Sequence, residues 1–289
     1  MTSIPETLPA ARGRAAAWAP RPGVVAAWIL LALVALAVAW PSLLAARDPN
    51  AADPATALAG PGAGHLFGTD ELGRDVLSRV VYGARPSLFI GAGSTLTALV
   101  AGSLLGVLAA TSGRAVDGVV MRVADVLLAF PGLLLALLVI AAIGPGTTDA
   151  MIALACASVP GFIRIARSQG LVIRRADYVR AAVVLGRGRA AIQLRHVLPN
   201  ALPPLLAFAM INIGAAIISG ATLSFLGLGP PAPTPEWGAM LSTSRGYLSV
   251  AWAPAVFPGL AITVTVIAVN VAGRDLRRRF EGRQAVPHA

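Results

Sequence analysis

Two groups of residues in this chain have the types and spacing that chemistry requires. The first is acidic and lies in the run His65-Leu66-Phe67-Gly68-Thr69-Asp70-Glu71-Leu72-Gly73-Arg74-Asp75-Val76-Leu77-Ser78-Arg79. On a helix Glu71 and Asp75 would stand on one face at i, i+4, and His65 and Asp70 could complete a divalent-cation site. The structural reading of the same run is that Thr69 caps a short amphipathic helix. Asp70 and Glu71 would then sit in its first turn, where the positive helix end favours them. Capping accounts for more of these residues, so no metal is assigned. The second group is cationic: arginines at 164, 167, 174, 175, 180, 187, 189 and 195. It reads as two short helices, 176–185 and 189–197, broken by Gly186 and Gly188 and stopped by Pro199. Ala181 and Ala182 are small enough for a close partner surface, and Gly186 supplies the left-handed geometry that ends the first helix. Pro203 and Pro204 suit the opening turn of the helix that follows. His196 could handle a proton, but a structural hydrogen bond beside Pro199 is the simpler expectation.

These groups are set in a very apolar sequence. The 289 residues are 56% hydrophobic and 12% charged, with mean hydropathy +0.75, where a soluble chain carries about 25% charged residues. All 23 basic residues are arginine. The sequence pI near 11.5 would suggest nucleic acid in a soluble protein, but inside-facing loops of membrane proteins collect positive charge, and no nucleic-acid partner is assigned. The single Cys156 excludes an intrachain disulfide and, in an apolar run, reads as packing. His65, His196 and His288 are too scattered for a metal cage.

A bilayer core needs about 20 apolar residues in a helix. Charge-poor windows at 22–46, 86–113, 126–148, 150–163, 201–226 and 246–273 give six spans. The fourth is short and crosses only if Arg164 and Arg167 snorkel to the interface. The first is too long for the apolar region of a signal peptide and is expected to be retained. With the N-terminus inside, 18 arginines fall in cytoplasmic segments and 5 in external ones, the bias that sets orientation. The expected organisation is a cytoplasmic tail 1–23, a first transmembrane helix 24–46 and an external segment 47–85. A core 86–273 follows, with a cytoplasmic loop 164–200, and then a cytoplasmic tail 274–289. A second external segment, 229–247, carries Pro230, Pro231, Pro233 and Pro235 before Trp237 and reads as a stiff turn followed by an interfacial anchor. A charged helix–turn–helix held between spans on the cytoplasmic side is suited to being gripped by a soluble partner.

Three kinds of membrane protein compete on these residues. An ion-coupled transporter or channel would keep ionisable groups deep in the membrane. Here Asp125 and Asp149 lie at span ends, and Asn212, Ser219, Thr222 and Asn270 read as interhelical hydrogen bonds. An intramembrane hydrolase needs a base beside a nucleophile, and none is placed to serve Ser94 or Ser224; no catalytic residue is assigned. A transport subunit driven from outside fits best. The chain lacks a G-x-x-x-x-G-K-[ST] phosphate loop and contains no lysine, so it has no means of hydrolysing ATP itself.

Tyr178-Val179-Arg180-Ala181-Ala182-Val183-Val184-Leu185-Gly186 resembles the EAA loop of ATP-binding-cassette importer permeases. With Phe67-Gly68-Thr69-Asp70-Glu71-Leu72-Gly73-Arg74-Asp75, Arg195-His196-Val197-Leu198-Pro199-Asn200 and Leu223-Ser224-Phe225-Leu226-Gly227-Leu228-Gly229, the chain is similar to the second permease subunit of the dipeptide, oligopeptide and nickel branch. That resemblance implies an all-α polytopic membrane protein of six transmembrane helices with the type I importer permease fold. Tyr178, Arg180, Ala181, Ala182, Gly186, His196, Pro199 and Asn200 would form the ATPase-coupling loop, and Asp70, Glu71, Gly73, Arg74 and Asp75 an external element. It further implies two ATP-binding-cassette subunits carrying ATP and Mg, a homologous permease subunit, an external substrate-binding protein and surrounding lipid, with no cofactor on this chain. The cargo would be peptides or related solutes such as nickel chelates. Arg180 stands where the family carries an acidic residue, so a glutamate salt bridge there cannot be assumed.

Overall fold

The computed structural model describes residues 22–284. The N-terminal tail with its three arginines, and the last residues of the C-terminal tail with His288, lie outside the described residues. Ten α-helices follow in chain order: α1 (Pro22–Ala39), α2 (Val76–Thr111), α3 (Arg114–Leu128), α4 (Gly132–Ile143), α5 (Thr147–Ile173), α6 (Asp177–Val184), α7 (Arg189–Ile192), α8 (Leu198–Phe225), α9 (Trp237–Ser244) and α10 (Ala253–Gln284). Among the described residues five helices are long and apolar enough to cross a membrane, and α3 and α4, bent by 97° to one another, are a sixth candidate if counted as one broken span.

Several boundaries differ from the sequence expectation. The first span ends at Ala39, because Pro41 cannot continue a helix and opens a short 3-10 turn. The second helix starts at Val76 rather than at residue 86 and carries Pro86 in its interior. The third crossing, expected as one helix over 126–148, is broken at Phe130-Pro131, where Pro131 disfavours helical geometry in the residue before it and serves as the N-cap of α4. The fourth helix is not short: α5 runs 27 residues, through Pro160, Arg164 and Arg167. The arginines read as the start of a loop therefore lie on a span. The last helix likewise extends beyond residue 273 to Gln284.

Small residues bring the core helices together. A Cβ at Gly102 of α2 would overlap the Phe162 Cβ of α5, and one at Gly106 would lie 2.5 Å from the Ile163 carbonyl oxygen. The two backbones thus approach closely over one helical turn. Beside this contact Ala98, Phe162, Ala166, Ala201, Leu205 and Ala209 join α2, α5 and α8 in one apolar cluster. Nearer the other end Ala136 and Ile140 of α4 pack on Ala150, Ala153 and Leu154 of α5, so α4 runs alongside the first half of α5.

Of the polar groups expected between helices, Asn212 accepts a 3.4 Å contact from the Thr95 hydroxyl of α2. Thr222 and Asn270 instead bond to carbonyls of their own helices, Ile218 and Val266. Cys156, expected as packing, is exposed on α5.

Candidate coupling surface and external segment

The short helix α6 is amphipathic. Val179 and Ala182, three residues apart, point inward and cluster with Val107 at the end of α2 and with Ile192 and Val197. The other face presents Tyr178, Arg180, Ala181 and Val183, and the helix ends in Val184 and Leu185, 86% and 79% exposed. Only one of the paired alanines, Ala182, packs inward. Leu185 caps the helix, and Gly186 follows at φ +75°. The Gly186 N–H donates to the Val183 carbonyl (2.9 Å) and the Arg187 N–H to the Ala182 carbonyl (3.1 Å), the two bonds of a Schellman ending. Gly188 carries no positive φ, so one residue makes the turn. Arg180 faces Asp177 at 3.9 Å with its side chain 69% exposed, a weak pair in place of the family's acidic contact.

Pro199 does not stop the second helix. Residues Gln193–Val197 form a π-turn that leads directly into α8, with Pro199 in its first turn. A proline has no N–H to give and its ring collides with the carbonyl four residues back. The wider turn meets that constraint, and the Leu198 N–H donates five residues back to Gln193. The loop is therefore mechanically continuous with a span. It is also tied to α2: the Gln193 amide donates to the Thr111 hydroxyl at 2.5 Å, and Arg174 donates to the Ala110 carbonyl at 2.9 Å. The Asn200 amide donates to the His196 carbonyl at 2.6 Å. The His196 ring lies 6.2 Å from the Tyr178 ring. Its Nε2 is buried and, among the described residues, has no hydrogen-bond partner, so the expected structural bond at that nitrogen is not made.

The run 65–75, expected to be external, is not a capped helix. Thr69 pairs with Asp75 in an antiparallel bridge across a turn that Gly73 makes at φ +74°. The Thr69 hydroxyl donates to the Thr56 carbonyl and accepts from the Ala59 N–H at 2.9 Å. Asp70 accepts from the Leu72 and Arg74 N–H groups at 3.0 and 2.9 Å and from the Arg74 guanidinium at 2.7 Å. Arg74 also reaches Glu71 at 2.8 Å, and the Arg79 Nε lies 3.3 Å from Asp70. Asp70 and Arg74 are buried, so these pairs need their mutual satisfaction. The helix that does start here is α2, and its cap is Asp75, which accepts the Ser78 N–H at 2.9 Å. The other Asp75 oxygen meets the His65 ring at 2.8 Å, which Arg47 also contacts. Burial pushes the Asp75 carboxyl up, but the Ser78 N–H, the His65 contact and the Ser78 hydroxyl together hold it below its ordinary value. Each carboxylate of the imagined cation site is thus engaged by arginine, histidine or a helix N-terminus.

Two residues that sequence reasoning did not single out hold this end together. Glu236, 1% exposed, caps α9 through the Ala239 N–H (2.8 Å) and accepts the Ser87 hydroxyl of α2 at 2.7 Å. Glutamate is not among the favoured N-cap residues, so this cap had no clear signal in the sequence. Arg79 donates to the Pro49 carbonyl at 3.0 Å, a long-range contact with no local signature. Trp237, expected as an interfacial anchor, is 2% exposed, and its indole donates to the Val80 carbonyl at 2.8 Å.

These features define an all-helical, polytopic membrane protein with a charged helix–turn–helix continuous with one of its spans. Comparison with known proteins gives the family: the chain belongs to the binding-protein-dependent transport system inner membrane components, whose pattern matches residues 102–285. It is 41% identical over 256 residues to the probable D,D-dipeptide transport system permease protein DdpC of Escherichia coli (strain K12), covering 89% of this chain and 86% of that one. It is 40% identical to the dipeptide transport system permease protein DppC of Alkalihalophilus pseudofirmus, covering 88% and 82%. With the glutathione transport system permease protein GsiD of Pectobacterium atrosepticum it shares 41% identity over 88% of this chain and 84% of that one. Its fold matches a chain of the MetNI methionine ABC transporter in inward facing conformations, with TM-score 0.57 and 18% identity over 70% of this chain and 95% of that chain. The protein is therefore the non-catalytic, multi-pass permease component of an ABC transporter of the inner membrane, working with a separate ATPase and a binding protein.

Proposed function

We propose that α6 and its π-turn are the element through which two ATP-binding-cassette subunits drive this permease, and that its cargo is a peptide or a peptide-like solute such as glutathione. A homologous permease subunit completes the path, and an external binding protein delivers the cargo. The observation that carries the reading is the two-sidedness of α6. One face is locked to α2 through Val179, Ala182 and Val107, while Val184 and Leu185 project into open space beyond the last turn. Large apolar side chains exposed at the tip of an arginine-flanked loop suit a protein partner. A push on that tip has short mechanical routes to α2 through the cluster and to α8 through the π-turn. Such a push would switch the packing of α8 against α2 and α5 between discrete arrangements, inward-open and outward-open. The arginine distribution supports a cytoplasmic position for this loop and for both chain ends. Relatives whose names carry dipeptide and glutathione transport suggest the cargo class.

One experiment tests docking and orientation together. In a Cys156→Ala background, Leu185→Cys should react with a membrane-impermeant thiol reagent only from the cytoplasmic side, and the assembled ATPase subunits should protect it. Labelling from the external side would overturn the orientation. Equal labelling with and without the ATPase subunits would overturn the docking.

A further inference from the structure

The helix α3 is not used by the coupling reading. We propose that α3 lies flat in the lipid headgroup interface, its valine face in the acyl boundary and Arg114 and Arg122 on anionic lipid phosphates. The membrane level comes from α5. That helix begins at Thr147, and about 20 helical residues cross a hydrocarbon core of roughly 30 Å, so Arg164 and Arg167 fall at its far boundary. Both are paired to α3: Arg164 with Asp125 at 2.7 Å, and Arg167 with Asp117 through bonds of 2.5 and 2.7 Å. Eight residues along α3, about 12 Å, therefore match three along α5, about 4.5 Å. The helix runs closer to the membrane plane than to its normal. The 97° bend to α4, which itself runs alongside α5, gives the same direction independently.

The sequence of α3 fits that position. Val116, Val119, Val123 and Val126 form one stripe and are 40%, 65%, 54% and 55% exposed, whereas Ala124 is buried. Its two acids are both consumed by α5, which leaves Arg114 and Arg122 exposed and, among the described residues, without an acidic partner. An apolar face flanked by free arginines at headgroup level matches an anionic membrane surface. Another protein subunit would need both an apolar groove and its own carboxylates at that depth. The inference rests on membrane embedding alone and is independent of how the ATPase couples.

The test uses the assembled transporter in vesicles, with Cys156→Ala and one fluorophore at a time on Val116→Cys, Val119→Cys, Val123→Cys or Val126→Cys. Lipids brominated at defined acyl positions report depth. All four sites should be quenched and should lie within about 5 Å of one another, whereas a membrane-crossing helix would spread them over about 15 Å. Dibrominated phosphatidylglycerol should quench at least about twofold better than dibrominated phosphatidylcholine, and Arg114→Gln with Arg122→Gln should bring that ratio to about one. A 15 Å spread, no quenching by either lipid (a protein-covered or water-facing stripe), or a ratio of one in the native chain would overturn the proposal.

Discussion

Substitution of Gly186 separates the coupling element from the rest of the fold. The residue sits at φ +75°, and a Cβ built there meets nothing within 4 Å. The cost of a side chain is therefore entirely backbone strain: about 1 kcal/mol for alanine and about 2 kcal/mol for valine, whose branched Cβ crowds the left-handed region. A chain so strained relaxes by leaving that conformation, which breaks the paired bonds from Gly186 and Arg187 to Val183 and Ala182. About 2 kcal/mol shifts the turn equilibrium roughly thirtyfold, enough to misplace Val184 and Leu185 in most molecules. No span depends on this turn, so Gly186→Val should insert at near-normal levels while losing transport and substrate stimulation of the ATPase. Gly186→Asn, which tolerates the left-handed region, should retain most stimulation, with Gly186→Ala between the two. Gly188→Ala should be mild, because Gly188 adopts no positive φ. The assay is substrate-stimulated ATPase of the reconstituted complex beside transport into vesicles. Full stimulation with Gly186→Val would refute the assignment of this loop to coupling.

Arg180→Ala should change stimulation little, because its acidic partner among the described residues is the fully exposed Asp177 at 3.9 Å; a complete loss in the same assay would show a partner contact through Arg180. Gly238→Ala should prevent normal assembly, since its Cβ would overlap the Ala221 carbonyl oxygen and lie 2.7 Å from the Ala221 Cα. Backbone overlap of this kind costs on the order of 1–3 kcal/mol, and the check is yield of folded protein in detergent chromatography. Asp75→Ala should loosen the segment 47–75 by about 1 kcal/mol at neutral pH, read as faster protease nicking within those residues. Because the folded Asp75 carboxyl titrates below its ordinary value of 3.8, its stabilisation is complete above that value and lost as pH falls through the lower folded one. Native and Asp75→Ala chains should therefore converge only in strong acid; convergence already near pH 6 would contradict the assignment.

Local chemistry determined much of this protein from sequence alone. Apolar run length marked the regions of the candidate crossings, because a bilayer accepts only backbone satisfied within a helix. The glycine rule placed the left-handed turn at Gly186, where the structure has it, because that conformation is a property of one residue and its neighbours. Windows of hydropathy could not place helix ends: α5 carries Arg164 and Arg167 on the helix because Asp125 and Asp117 of α3 neutralise them. The bend before α4 removes the straight third span that the same windows suggested. Pro199 could not be read correctly, since a proline either ends a helix or is absorbed by a wider turn. The tie of Gln193 to Thr111 lies 82 residues away in the chain. The acids of the run 65–75 misled for the same reason. Thr69 carries a cap signal at short range, yet its hydroxyl is committed to Thr56 and Ala59, and the true cap, Asp75, is fixed by a turn folded back through Arg74 and Arg79. Residue type sets what a side chain can do, but which partner meets it depends on contacts between distant segments, and those exist only after the helices have packed.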